Sequence, residues 1–73
     1  MDQKLEDLIY AIDRDAEIIM VDDEDYDATI YVRPEYYDDI DMLLSDNDIT
    51  VVDCYIVSGS SYDQIAFDIK EAQ

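Results

Sequence analysis

Carboxylates are the abundant chemical groups of this 73-residue sequence: 21 residues are Asp or Glu, four are Lys or Arg, and none is His. Without imidazole, the usual proton shuttle at neutral pH is missing. The single thiol, Cys54, has no His to activate it. Pairs of carboxylates alone can hydrolyse a glycoside, but a chain this short leaves little room for a substrate cleft. The sequence therefore predicts no catalytic set and no enzyme. Metal ligation is the next chemistry to test. Zinc needs thiolates and imidazoles, which are absent here as a set. Asp23-x-Asp25-x-Asp27 supplies the first half of a calcium loop. Ala28 then stands where the loop needs its Gly, and Pro34 where it needs a bidentate Glu. Asp46-x-Asp48 fails in the same way. Both segments read as solvated acidic turns, and no metal or cofactor is expected.

The elements that carry these acids follow from hydrophobic spacing. Leu5, Leu8, Ile9 and Ile12 recur at helical intervals, which predicts an amphipathic helix over about residues 3–13. Glu17 to Val21 reads as a short strand, and Asp22 to Asp25 as an acidic turn. Tyr26 to Arg33 alternates, with Ala28, Ile30 and Val32 on one face and Asp27, Thr29 and Tyr31 on the other. These two strands form a hairpin. Pro34 suits the first turn of a second helix, where its missing N–H is not needed. Glu35, Asp38 and Asp39 follow at the positive end of the helix dipole. Tyr37, Ile40 and Leu44 make its inner stripe, and residues 45–48 end it.

Ile49 to Val57 is apolar on both faces, with Thr50, Val52, Cys54 and Ile56 on one side and Val51, Asp53, Tyr55 and Val57 on the other. Such a strand is expected at the centre of a sheet, with Cys54 a small buried hydrophobe on the core face. A turn holding the single Gly, Gly59, leads to Tyr62–Lys70. There Ile65, Phe67 and Ile69 face inward and Gln64, Ala66 and Asp68 outward. The order α-β-β-α-β-β predicts an α+β fold in two layers, a mainly antiparallel four-stranded sheet with both helices on one face. Strand order is left open.

In that architecture the outer sheet face presents Asp27, Thr29, Tyr31, Val51, Asp53, Tyr55, Tyr62, Gln64 and Asp68. A carboxylate can take a guanidinium side-on, and a tyrosine ring can take its flat face. The same face could instead pair with itself in a homodimer. The second helix adds Glu35, Asp38, Asp39 and Asp41 on its outer side, and the first hairpin adds Asp22, Asp23, Glu24 and Asp25. Together with Asp27, Tyr31, Asp53, Tyr55 and Asp68, these are the candidate partner-binding residues.

Composition bounds the rest. Seventy-three residues make one small domain, 1–73, which is marginal in stability. Ten Ile and seven Tyr separate it from a disordered acidic tail. One cysteine and an acidic N-terminal stretch predict neither a disulfide scaffold nor a secretory signal, so a reducing cytoplasm is expected. No apolar run is long enough to span a membrane. The bases Lys4, Arg14, Arg33 and Lys70 are scattered, and phosphate would be repelled, so direct nucleic-acid binding is not expected. The formal net charge is −17. A domain of this length is about 29 Å across, and duplex DNA of that length carries about 17 charges.

Charge of this extent on a tiny Tyr-rich domain, with runs such as Asp22-Asp23-Glu24-Asp25 and Asp38-Asp39-Ile40-Asp41, resembles the phage-encoded DNA-mimic inhibitors. That class includes anti-CRISPR proteins, anti-restriction proteins and uracil-DNA glycosylase inhibitors. The resemblance is one of overall character and carries no shared motif. It implies occupation of the basic DNA-binding groove of a host defence enzyme in the host cytoplasm, with an anti-CRISPR protein acting on a Cas effector as the leading case. The rival readings are an inhibitor of another DNA enzyme, an acidic adaptor of a basic protein, and an ordinary halophilic domain.

Overall fold

A computed structural model of the chain describes residues 3–59 and 61–71. Helix α1 spans Gln3–Ile12, strand β1 Glu17–Met20 and strand β2 Ala28–Val32. A 3-10 turn over Pro34–Tyr36 runs into helix α2, Tyr37–Asp46. Strands β3, Ile49–Ser58, and β4, Asp63–Glu71, close the chain. All neighbouring strands are antiparallel, in the order β1-β2-β4-β3. The two hairpins are thus joined through β2 and β4. Both helices cover one face: Leu5 and Ile9 of α1 and Ile40 and Leu44 of α2 share a single core with Ala28, Ile30, Val32, Phe67 and Ile69. This is the predicted α+β layer arrangement, and the two alternations read for β2 and β4 hold.

The boundaries have local causes. Arg33 is extended at φ −68°, ψ 146°, as the residue before a proline must be, and Pro34 then starts the turn. Acids Asp38 and Asp39 fill the first turn of α2. At its other end the Asn47 side chain donates to the Leu43 carbonyl at 2.8 Å. Asp48 then turns the chain with φ 58°, a left-handed conformation that a short polar side chain tolerates. Tyr37 packs inward as expected, its ring stacked on buried Phe67 at 5.6 Å, but it lies at the rim of the core and stays 39% exposed, and Tyr36 packs against the core beside it.

Strand β3 departs most from the sequence reading. It is an edge strand, and β4 is central, with Ala66, Phe67, Asp68 and Ile69 all buried. The register slips between Val51 and Asp53. Val51 pairs with inward-facing Ile69, and Cys54 and Ile56 pair with Phe67 and Ile65. A bulge at Val52 thus reverses the alternation within the strand. Val51 belongs to the helix side and packs on the core, not on the outer face, and Thr50, opposite Lys70, belongs to the outer face. The apolar character of both faces reflects this change of phase, since a bulge shifts every later side chain to the other side. Cys54 has the core-side orientation expected of it but is exposed, because it lies on the edge strand.

Asp13, just past α1, is the carboxylate that fastens the helix layer to the sheet. It is 4% exposed. One of its oxygens accepts the Asp15 N–H at 2.9 Å and the other the Arg33 N–H at 3.0 Å. Arg33 in turn pairs with Asp15 at 3.1 Å and lies over the Tyr62 ring at 4.7 Å. The Asp13→Ala substitution strands two N–H groups and should cost about 2–3 kcal/mol. Urea denaturation checks this, and an unchanged midpoint would show that water replaces the carboxylate without loss.

Candidate functional site

Three strands bring the outer-face residues together in rows. Tyr31, Ala66 and Tyr55 stand side by side across β2, β4 and β3. Thr29, Asp68 and Asp53 form the next row. Ala66 is fully buried between two tyrosines of its row, which explains how an outward-facing residue of the central strand leaves solvent. Asp68 is 8% exposed. The Thr29 hydroxyl donates to its Oδ1 at 2.7 Å, and the Tyr55 hydroxyl reaches the same oxygen at 3.4 Å. The outcome is a carboxylate sunk in a floor of hydroxyls and rings, not the open acid that strand parity implied.

Asp53 sits beside it, exposed, with one carboxylate oxygen accepting the Cys54 N–H at 2.9 Å. That bond lies just after the bulge and fixes the direction of the side chain. Asp27 is also tied to the backbone: its Oδ2 accepts the Glu71 N–H at 2.8 Å. The candidate residues Asp27, Tyr31, Asp53, Tyr55 and Asp68 therefore share one sheet face. Tyr62 lies ahead of β4, under the Arg33 guanidinium.

The other candidates lie elsewhere. Asp22, Asp23, Glu24 and Asp25 are exposed in the connection between β1 and β2. Asp23 Oδ1 accepts the Asp25 N–H at 2.9 Å, and Lys70 Nζ donates to the Glu24 carbonyl at 2.8 Å. The segment is an acidic turn, as its sequence suggested. Glu35, Asp38, Asp39 and Asp41 are exposed on the helix layer, across the sheet from the tyrosines. The predicted residues thus fall on two opposite faces and one loop. Among the described residues no three His, Cys, Asp or Glu side chains converge as a metal site. A shallow cleft of about 160 Å³ at Gly59, Ser61, Tyr62 and Gln64 is smaller than typical small-molecule sites. No helix among the described residues is long and apolar enough to cross a membrane.

The sequence reading missed the partnership of Thr29 with Asp68 and the inward role of Asp13. The Asp13-Arg14-Asp15 pattern after a helix does carry a signal, since Asp bonds the N–H two residues on. The Thr29–Asp68 bond joins residues 39 positions apart and has no local signature.

Among the described residues, the thiol of Cys54 and the phenol of Tyr55 hold their protons above their ordinary ranges. Partial desolvation raises the Cys54 thiol, helped by the charges of Asp41 and Asp53. Desolvation also raises the Tyr55 phenol, followed by the charges of Asp68 and Tyr31, the hydrogen bond to Asp68 and the charge of Tyr26. No family model matches the chain, and no curated protein or solved structure matches it either.

Two outcomes follow for stability. Asp53 and Asp68 are directly opposed like charges on one face, an arrangement that destabilises a sheet. The Asp53→Asn substitution keeps an oxygen for the Cys54 N–H and should raise stability by about 0.2–1 kcal/mol. A lowered urea midpoint would show that the Asp53 charge stabilises the fold. Cys54 and Tyr55 both hold their protons more tightly in the fold than in the unfolded chain. Their contribution is complete below the ordinary values of 9.0 and 10.0 and is lost as pH rises through the higher folded values. Urea midpoints should therefore fall as pH rises above about 9, and less steeply in a Cys54→Ser, Tyr55→Phe double variant. Equal slopes for the two proteins would contradict the assignment.

Proposed function

We propose that this chain is an acidic DNA mimic that occupies the basic DNA-binding groove of a host defence enzyme, with the target-DNA channel of a Cas effector as the leading case. The carrying observation is a net charge of −17 on an ordered body 36 Å long. Duplex DNA of that length carries about 21 charges, so the protein approaches the charge density of the ligand it would displace. The carboxylates of Asp23, Asp27 and Asp53 are held by backbone N–H groups, which gives them fixed positions. The sheet face adds Tyr31 and Tyr55 beside Asp53 and Asp68, a surface chemically suited to arginine side chains. Acids on both faces and on the loop resemble a charged rod more than a single patch.

The test uses purified guide-loaded Cas effectors, titrated with the protein in the presence and absence of excess target duplex. Duplex should displace the protein, and affinity should fall as salt rises. Independent binding of duplex and protein to the same effector would refute the mimic. A panel in which the effectors are ignored but a restriction enzyme or uracil-DNA glycosylase is blocked would move the target within the same class. An Asp→Asn scan should give an uneven profile, with losses of about 2–5 kcal/mol at the interface centre and little at its rim. A flat profile would indicate nonspecific polyanion behaviour.

A further inference from the structure

The two edges of the sheet are built differently. At one end β1 is only four residues long, and a short edge offers little to pair with. At the other end β3 runs for ten residues and is paired only with β4 among the described residues. Its far side therefore faces no neighbouring strand, although the Cys54 N–H of this strand is already bonded to Asp53 Oδ1 at 2.9 Å. The bulge at Val52 divides this edge, and residues 53–58 form its longer regular segment.

Over residues 53–56 the side chains alternate in chemistry as well as in direction, and Val57 and Ser58 end that pattern. Cys54 and Ile56 lie on the helix side, in register with Phe67 and Ile65. Both are exposed, and Ile56 is 71% exposed. Asp53 and Tyr55 lie on the outer side, in register with Asp68 and Ala66. A strand added to this edge would meet apolar side chains on one of its faces, and a carboxylate and an aromatic ring on the other. Period-two complementarity of this kind selects an extended segment in which apolar residues alternate with Lys or Arg. The helix side is also negative: Asp41 of α2 is close enough to raise the Cys54 thiol.

A second copy of this chain fits the edge poorly. Each copy carries −17. Pairing of residues 53–58 with the same segment of a second copy would centre on Tyr55 and Ile56, so the obstacle to it is the mutual repulsion of two chains of that charge.

We propose that the β3 edge, over residues 53–58, captures an extended basic segment of the partner protein by strand addition. This rests on the reading that the partner is a basic protein, and it adds to charge mimicry a backbone-paired anchor that DNA itself does not have.

The test uses a ten-residue peptide of alternating valine and lysine. Its control is the same sequence N-methylated at successive central residues, so that charge is kept and neither edge can pair. The protein alone should sediment as a monomer. The plain peptide should slow hydrogen exchange of the outward-facing amides within 53–58 at least tenfold, and the methylated peptide should bind at least tenfold more weakly without that protection. Equal affinity for the two peptides, no binding of either, or protection confined to Asp22–Asp25 or to the helix layer overturns the proposal. A dimer whose β3 amides are already protected overturns it in favour of a second copy. The duplex-competition assay fails or succeeds separately. Strand capture without duplex competition would leave the anchor and remove the mimic, and the converse would leave the mimic alone.

Discussion

In a body 18 Å thick that carries a net charge of −17, each carboxylate lies within about two screening lengths of the nearest opposite surface. Mutual repulsion is therefore present throughout the fold, and the core that opposes it is small. The structure answers by making several of the repelling groups into acceptors for backbone N–H groups. Asp13 binds the N–H groups of Asp15 and Arg33, Asp27 that of Glu71, and Asp53 that of Cys54. Each bond satisfies a donor where the chain leaves regular pairing: after a helix, at a strand end, or at a bulge. The bases are used in the same way. Lys70 holds the acidic β1–β2 connection through the Glu24 carbonyl, and Arg33 joins Asp15 to the Tyr62 ring.

The same arrangement sets the character of the outer face. Tyrosines on β2 and β3 flank the small Ala66 of the central strand, and Asp68 is drawn below the surface by the Thr29 and Tyr55 hydroxyls. Asp53 is left exposed directly opposite Asp68. That placement is unfavourable for the isolated fold and favourable for meeting a cation. Under the proposed function, a charge placed against stability is what a binding surface would carry. Here it lies on the strand whose other edge is open.

Sequence spacing determined the number and order of the elements, the α+β layers, and the inward faces of β2 and β4. These are local properties: Leu5 and Ile9 lie one helical turn apart, and Ile65, Phe67 and Ile69 alternate along one strand. Composition likewise determined the charge, and with it the kind of surface the molecule shows. Tertiary structure alone decided which strand is central. An apolar run reads the same at the edge of a sheet as in its middle, and one bulge at Val52 moved Val51 to the core side and left Cys54 on an exposed edge. The burial of Asp68 was also decided there, because its partners Thr29 and Tyr55 come from two other strands. The distribution of the acids over two faces and a loop followed from how the hairpins join through β2 and β4. That contact links segments distant in the chain, and nothing in the local spacing of residues encodes it.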